Sequence, residues 1–445
     1  MTPERKDRWR YSWVTFGSIG AALGFITWGN LGLFPFLLLF AVGYGYATGK
    51  IARAAFVFGY FMGGSWILAG VFNAFWPHDA PLLGICAWPA IALLLSLPWW
   101  LVGLIGAEKP QYVGLRMAGT LIITSIPPLS TWSLLSPLFL SGVYFPGTGL
   151  AGLVLGLITL SLLSAFTAHI AASRRAHQIT MHYLPNKHTP SGPLHPNTAR
   201  LLAGFLLSIL VTALLLNGTY TPPAQPANIR GVSLPWKALP FDLGFLKNLE
   251  RQNHIRQWAQ QYLKTIPKHQ IVILPEGIGG YYFPNFYTAG LLDGIQRIVK
   301  ARQDTLLVGF YDISQSGKRW SYTDALNAYG LHRGIFPSRQ PCPLSEWKPW
   351  ENGSAQAFWW RLGPDYLGHQ KQPFAMAVCY SELLVWPLAS YFIEAPRQPE
   401  WILAPENHDW EKTAAENAIQ TKARKIWGRL YGLPVVTAND FPLGA

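Results

Sequence analysis

A short apolar run, Phe374-Ala375-Met376-Ala377-Val378, leads directly into Cys379, and a carboxylate, Glu382, follows three positions later. A cysteine thiol has a pKa of ~8.5, so at neutral pH only a small fraction is the thiolate that attacks carbonyl carbon. Such a thiol does chemistry only beside a base or a cation. On its own, a cysteine after an apolar strand is core material. Partners elsewhere in the chain supply the case for more. Ile271-Val272-Ile273-Leu274-Pro275 delivers Glu276 at the end of another apolar run, and Ser338-Arg339-Gln340 brings a cation, with Glu346 a few residues on. A base, a cation and a thiol at successive strand ends can form and resolve an acyl-thioester. Cys342, between Pro341 and Pro343, is the alternative thiol, without the strand-end placement.

This ordered set resembles the nitrilase (carbon-nitrogen hydrolase) superfamily over about residues 225–440. After the cysteine, Trp401-Ile402-Leu403-Ala404-Pro405-Glu406-Asn407-His408-Asp409-Trp410 is similar to that family's strand and Asn-x-x-Trp loop, and Ala418 to Arg424 to the helix that follows. The resemblance implies Cys379 as nucleophile, Glu276 as general base, Glu346 as second carboxylate and Arg339 in place of the family's lysine. Ser338, Tyr380, Glu382 and Asn407 are implied as supporting residues, and neither cofactor nor metal is implied. A one-residue gap decides whether Ser338 or Arg339 takes the lysine's position. Arginine holds an oxyanion as a fixed charge but cannot exchange protons. Ser381 stands where many members carry a second glutamate.

The elements that must position these residues alternate helix and strand. Phe241–Thr265 places Leu246, Leu249, Ile255, Trp258 and Leu263 on one broad helical face. Thr288–Arg302 predicts a second helix, Thr305–Tyr311 a strand, and Tyr322–Tyr329 with Ile335–Pro341 a strand pair around the Gly330–Gly334 turn. That alternation indicates a layered α/β domain over 241–445. The family resemblance narrows it to a four-layer α-β-β-α sandwich. Residues 218–240, rich in proline, read as a linker.

Residues 1–217 are different in kind. The chain has 445 residues, only 13% charged, and a mean hydropathy of +0.18, too apolar for a wholly soluble protein. Seven apolar runs, Tyr11–Trp28, Leu31–Thr48, Ala54–Trp76, Leu82–Ile105, Met117–Leu140, Leu150–Ala172 and Leu201–Leu216, predict a polytopic helical membrane domain. Met117–Leu140 is interrupted by Pro127, Pro128 and Pro137. The net charge of +13 does not point to nucleic acid, because the basic residues of this half lie in alternate connections. These are Arg5 to Arg10, Lys50 with Arg53, Lys109 with Arg116, and Arg174, Arg175, Lys187 and Arg200, whereas the loop at Pro77-His78-Asp79 has no Lys or Arg. By the positive-inside rule that group is cytoplasmic, and an odd number of spans puts everything after Asn217 on the periplasmic face of a bacterial inner membrane. The histidines from His169 to His195 match no zinc spacing.

Phe56-Val57-Phe58-Gly59-Tyr60-Phe61 with Ser65-Trp66 resembles a span motif of bacterial apolipoprotein N-acyltransferases, which join membrane spans to a nitrilase-like domain. Gly59, Gly63 and Gly64 also permit close helix approach by themselves. Phe145-Pro146-Gly147-Thr148-Gly149, Trp347-Lys348-Pro349-Trp350, Leu383 to Pro387 and Trp427 to Pro434 resemble the TraB family of plasmid conjugal transfer proteins, which like this chain ends early. The expectation is a membrane-embedded thiol acyltransferase or amidase serving conjugation, with a membrane lipid or acyl group as substrate, conjugation proteins as partners and no direct contact with nucleic acid. The alternatives are a catalytically lapsed assembly factor of the mating apparatus, or a lipoprotein N-acyltransferase.

Overall fold

The computed structural model describes residues 3–29, 32–75, 82–105, 109–183, 196–236, 244–283, 286–316, 318–368, 372–408 and 414–440. The loop at Pro77-His78-Asp79, the stretch from Lys187 to His195, the linker end at 237–240 and Trp410 lie outside these, as do the side chains of Arg5 to Arg10. The chain divides into two compact units, Met1–Thr221 with Lys412–Gly432, and Pro222–Glu411 with Leu433–Ala445.

The first unit is helical. Its elements are α1 (Pro3–Trp28), α2 (Leu38–Tyr46), α3 (Lys50–Gly64), α4 (Leu68–Phe75), α5 (Leu83–Leu104), α6 (Pro110–Ser125), α7 (Leu140–Tyr144), α8 (Leu150–Tyr183) and α9 (Pro196–Thr219). Among the described residues, three stretches are long and apolar enough to cross a membrane: Leu83–Leu104, Leu150–Ala176 and Ala199–Thr219. The run expected over Met117–Leu140 is broken, as its prolines require. Helix α6 stops at Ser125, and only short turns at Leu129–Trp132 and Pro137–Phe139 precede α7.

Glycine governs the tightest packing in this unit. A Cβ on Gly20 would lie 2.1 Å from Phe56 O, one on Gly24 2.0 Å from Tyr60 O, one on Gly59 2.0 Å from Gly17 O, and one on Gly63 1.9 Å from Ala21 O. The spacing of four on each helix brings the α1 and α3 backbones into direct contact, which only hydrogen at Cα allows. Beside this seam, the Trp28 indole N–H donates to Tyr60 Oη at 2.7 Å, and that hydroxyl donates to Leu135 O at 2.9 Å.

The basic residues expected in loops behave differently. Arg53 and Arg116 are buried. Arg53 donates to Tyr44 O (3.0 Å) and Ala47 O (3.1 Å), Lys50 to Leu104 O (3.0 Å), and Arg116 to Ile105 O (2.9 Å). These carbonyls end α2 and α5, where no helical N–H remains to satisfy them and the helix dipole favours a cation. Arg174, toward the end of α8, reaches Tyr46 Oη at 3.2 Å. The cations thus gather at one end of the unit. Asn217, near the end of α9, donates to Tyr144 O at 3.1 Å, just ahead of the start of α8. At 1.5 Å per residue, the length of α8 from Leu150 to Arg174 separates the two groups by roughly 36 Å.

In the second unit, β1 (Ile229–Gly231), α10 (Gly244–Tyr262), β2 (Ile271–Ile273), β3 (Tyr281–Tyr282), α11 (Phe286–Ala301), β4 (Thr305–Ser316), β5 (Arg319–Gly330), β6 (Gly334–Pro337), β7 (Ser354–Ala355), β8 (Asp365–Leu367), β9 (Gln372–Met376), α12 (Trp386–Ala389), β10 (Ile402–Glu406) and β11 (Val435–Asn439) follow in order. Helix α13 (Ala414–Tyr431), between β10 and β11, packs within the helical unit. Its Trp427 ring lies 4.6 Å from that of Phe139. The carbonyls of Arg429 and Leu430 accept from Gly147 N and Gly149 N at 2.8 Å each.

Two sheets result. One is seven-stranded with the path β1-β2-β4-β5-β6, β3 pairing β4 and β7 pairing β5, while the other runs β11-β10-β9-β8. Strand β1 falls inside the expected linker. It pairs in parallel with β2, and just beyond it Leu234 N donates to Asn439 O of β11 at 2.9 Å, so this segment joins the sheets. Gly231 is required there, since a Cβ would lie 1.6 Å from Thr437 O. On the larger sheet, Leu306, Val308 and Phe310 of β4 pack with Ile255, Ala259 and Leu263 and with Ile295 and Val299, so α10 and α11 cover one face. Alternation sends Leu307, Gly309 and Tyr311 to the other.

Replacing Gly63 by leucine is expected to cost ~1–3 kcal/mol or more through overpacking. Heat-induced aggregation of the detergent-purified protein is the readout. Gly103→Leu, at a glycine with nothing within 4 Å, is expected to leave it unchanged.

Candidate functional site

Glu276 is delivered by β2. Leu274 N donates to Leu307 O at 2.8 Å, and the chain then turns across β4 at Gly309. A Cβ on Gly309 would lie 2.7 Å from Glu276 Cα, so the turn depends on that glycine. Cys379 is delivered by β9. Ala377 N donates to Leu403 O at 2.8 Å, and Cys379 then opens a turn of 3-10 helix with φ of 40°. A positive φ is costly for a residue with a Cβ and turns the side chain out of the strand direction. The two side chains are neighbours: the Cys379 thiol acts on the Glu276 carboxyl and lowers its pKa, and the Glu276 charge raises that of the thiol. Its Sγ lies 3.9 Å from Asn407 O at the end of β10. The thiol is partly accessible, whereas Glu276 is buried.

The surroundings are acidic. Burial pushes the Glu276 carboxyl well above the usual carboxylate range, and the charges of Asp324, Glu346 and Asp440 push it further. Asp324, on β5, is buried within hydrogen-bonding reach of Glu276, and burial and Glu346 hold it well up too. Among the described residues, Glu276 Oε2 and Asp324 Oδ2 find no hydrogen-bond partner. Burial raises Glu346 from 4.5 to about 7, although it accepts from Cys342 N at 2.9 Å. Burial and the charges of Glu276, Glu346 and Cys342 also push the Cys379 thiol upward. Cys342 is driven to about 12 by its own burial and by Glu346. Tyr311, opposite Asp324 in the β4–β5 register, closes one side. Its hydroxyl sits where a Cβ on Gly277 would be, 2.4 Å away.

Of the residues read from sequence, Glu276, Glu346, Cys379 and Asn407 come together here. Arg339 does not join them. Its Nη2 donates to Gly363 O at 2.8 Å, and its guanidinium stacks 4.0 Å above the Tyr391 ring, near Asp365. The reason is strand parity. Beyond β6, Ser338 N bonds Asp324 O at 2.8 Å and its hydroxyl sits beside the Asp324 carboxyl, so the next residue points the other way. Ser338 therefore lies on the Asp324 side of the chain and Arg339 on the other. Tyr380 is partly buried, its hydroxyl held up by burial. Glu382 is fully buried in the same turn as Cys379.

The sequence reading missed Asp324. The signal was a carboxylate inside the otherwise buried strand Tyr322–Tyr329, a position acids avoid unless paired. It also missed a buried pair behind Asn407. His408 Nε2 contacts the Glu406 carboxylate, and His408 N donates to Asp440 Oδ1 at 2.6 Å.

No protein-family model matches the chain. Two relatives align over nearly its whole length. A conjugal transfer protein TraB of Agrobacterium fabrum is 27% identical over 457 aligned positions, covering 97% of this chain and 93% of the relative. A probable conjugal transfer protein TraB of Sinorhizobium fredii is 24% identical over 447 positions, covering 97% and 98%.

The raised carboxyls set the direction of pH dependence. Below pH 4.5 folded and unfolded chains both hold the Glu346 proton and its contribution to stability is complete, and as pH rises through about 7 that contribution is lost. Glu276 and Asp324 act in the same direction. The melting temperature is expected to fall between about pH 5 and about pH 8, and Glu346→Gln to flatten part of that fall.

Proposed function

We propose that this protein serves plasmid conjugal transfer as a membrane-held thiol enzyme of nitrilase type, an acyltransferase or amidase working through Cys379. The observation that carries the reading is the Cys379–Glu276 contact between two strand ends. The names of the two full-length relatives support the conjugal role. The two sheets, with helices covering one of them, are consistent with a four-layer α-β-β-α sandwich built from the second unit.

In the proposed cycle, Glu276 takes the thiol proton as sulfur bonds to the substrate's carbonyl carbon. The carbonyl oxygen gains negative charge. Where the superfamily uses lysine, Asp324 stands beside Ser338, and a carboxyl kept neutral by burial donates a hydrogen bond to that oxygen. On collapse, the bond to the leaving group breaks, the leaving group takes the proton from Glu276, and a thioester remains on Cys379. An amine or water then loses a proton to Glu276 and attacks the thioester carbon. The C–S bond breaks and the proton returns to sulfur. Burial raises the proton affinity of Glu276, which favours its taking the thiol proton when it is the ionised member of the carboxyl set. A lipid acyl group is the proposed donor, given the helical unit.

For topology, the seven apolar runs read as membrane passes, and the end that gathers Lys50, Arg53, Arg116 and Arg174 reads as cytoplasmic. Asn217, where the chain leaves the helices, lies at the other end of α8. That supports a periplasmic second unit in a bacterial inner membrane.

A second reading, a lapsed enzyme retained as an assembly factor, is favoured by one observation: Arg339 is engaged with Tyr391 and Gly363 instead of the thiol.

Intact-mass analysis of protein from metabolically labelled membranes is expected to show an acyl adduct that maps to Cys379, is released by neutral hydroxylamine, and is absent from Cys379→Ala. Asp324→Ala is expected to lower adduct formation by about tenfold or more, and Asp324→Asn, which keeps a donor, by less. If Cys379→Ala restores mating to the parental frequency in a strain lacking this gene, the assembly reading replaces the catalytic one.

A further inference from the structure

The other face of the larger sheet carries a second polar site. Tyr282, Asn327, Tyr329 and Ile335 from the sheet and Leu292, Asp293 and Gln296 from α11 line a cleft of about 310 Å³. Asn327 lies opposite Val308 in the β4–β5 register, and Asp312 lies opposite Tyr282 in β3. Both therefore share the α11 face of the sheet, whereas Tyr311 and Asp324 face the Cys379 side.

Its polar groups are incompletely matched. Asn327 is only 5% exposed, and its Nδ2 donates to Asp312 Oδ1 at 2.9 Å. Its own Oδ1 has no donor among the described residues, and neither has Asp312 Oδ2. Buried acceptors left this way cost free energy that a donor would recover. Burial pushes the Asp312 carboxyl up to about 6, and only the Asn327 amide opposes it. Arg333, an exposed residue, also lines the cleft. Gln296 is already committed, bonded both ways to Gly330 at 2.7 Å. Asp293 adds a second carboxylate from α11, and the Tyr282 and Tyr329 rings supply walls that suit a cation or its aliphatic stem.

We propose that this cleft binds a small organic cation with N–H donors, an alkylammonium or guanidinium, seated on Asn327 and Asp293, with Asp312 behind Asn327 supplying the buried charge. Two acceptors in one cleft call for a head with more than one N–H, which quaternary ammonium lacks. The cleft is large enough for a molecule of that size and small for a folded partner.

Isothermal titration of the full-length protein in detergent at about pH 7.5, with agmatine and putrescine as probes, tests this. Saturable binding of either, without binding of choline, is expected. Asp312→Asn and Asn327→Leu should each weaken it by about tenfold or more. Asp293→Asn, an exposed change that cannot unfold the sheet, should weaken it measurably, and Cys379→Ser should leave it unchanged. No binding to the wild-type protein, equal binding of choline, complete displacement by calcium chloride, or unchanged affinity in Asp293→Asn together with Asp312→Asn would each overturn the proposal.

Discussion

Three carboxyl groups enclosed around a thiol, with no cation among the described residues drawn in to neutralise them, set the terms for the rest of the sheet unit. Burial raises Glu276, Asp324 and Glu346 alike, the charges of Asp324 and Glu346 raise Glu276 further, and that of Glu346 raises Asp324. Such a group cannot ionise as a set near neutrality, because each charge would face the others in a low-dielectric interior. It therefore holds protons. A site that holds protons donates hydrogen bonds and exchanges protons easily, but it stabilises a thiolate poorly. The thiol is raised as well, so the proposed transfer of its proton to Glu276 requires Glu276 to be the member of the set left ionised.

The parts of this arrangement that were legible in the sequence were those set by strand ends. Ile271–Leu274 and Phe374–Val378 are apolar enough to be recognised as buried strands, and the residues just past each are delivered to the sheet rim. Parity was not legible beyond the strand. One residue decides whether Ser338 or Arg339 faces the thiol, and a one-residue slip reverses every side chain. Asp324 stayed hidden because Tyr322–Tyr329 contains threonine, aspartate and asparagine, so its burial depends on strands far away in sequence. Strand β1 stayed hidden for a similar reason. Prolines on either side mark a loop, and only pairing with β2 makes Ile229–Gly231 a strand.

In the helical unit, composition conveyed apolarity but not continuity. Prolines end α6 early, and the described helices divide the apolar sequence into more pieces than the runs suggest, some shorter and some, such as α8, longer. The glycine spacing on α3 was visible, while its partner face on α1 was not. The loop cations illustrate a different limit. Arg53 lies in the first turn of α3 and Arg116 inside α6, not in the connections expected to carry them, and their guanidinium groups are buried against helix carbonyls. The charges serve as helix caps.

Helix α13 joins two strands of one unit while packing in the other, and its last carbonyls are held by Gly147 and Gly149. On the ribosome, α1 to α9 emerge long before it does. Until every strand from β1 to β10 has been synthesised, the helical unit therefore lacks the helix that packs beside Phe139. Its packing is completed last, after nearly all of the neighbouring unit has been made.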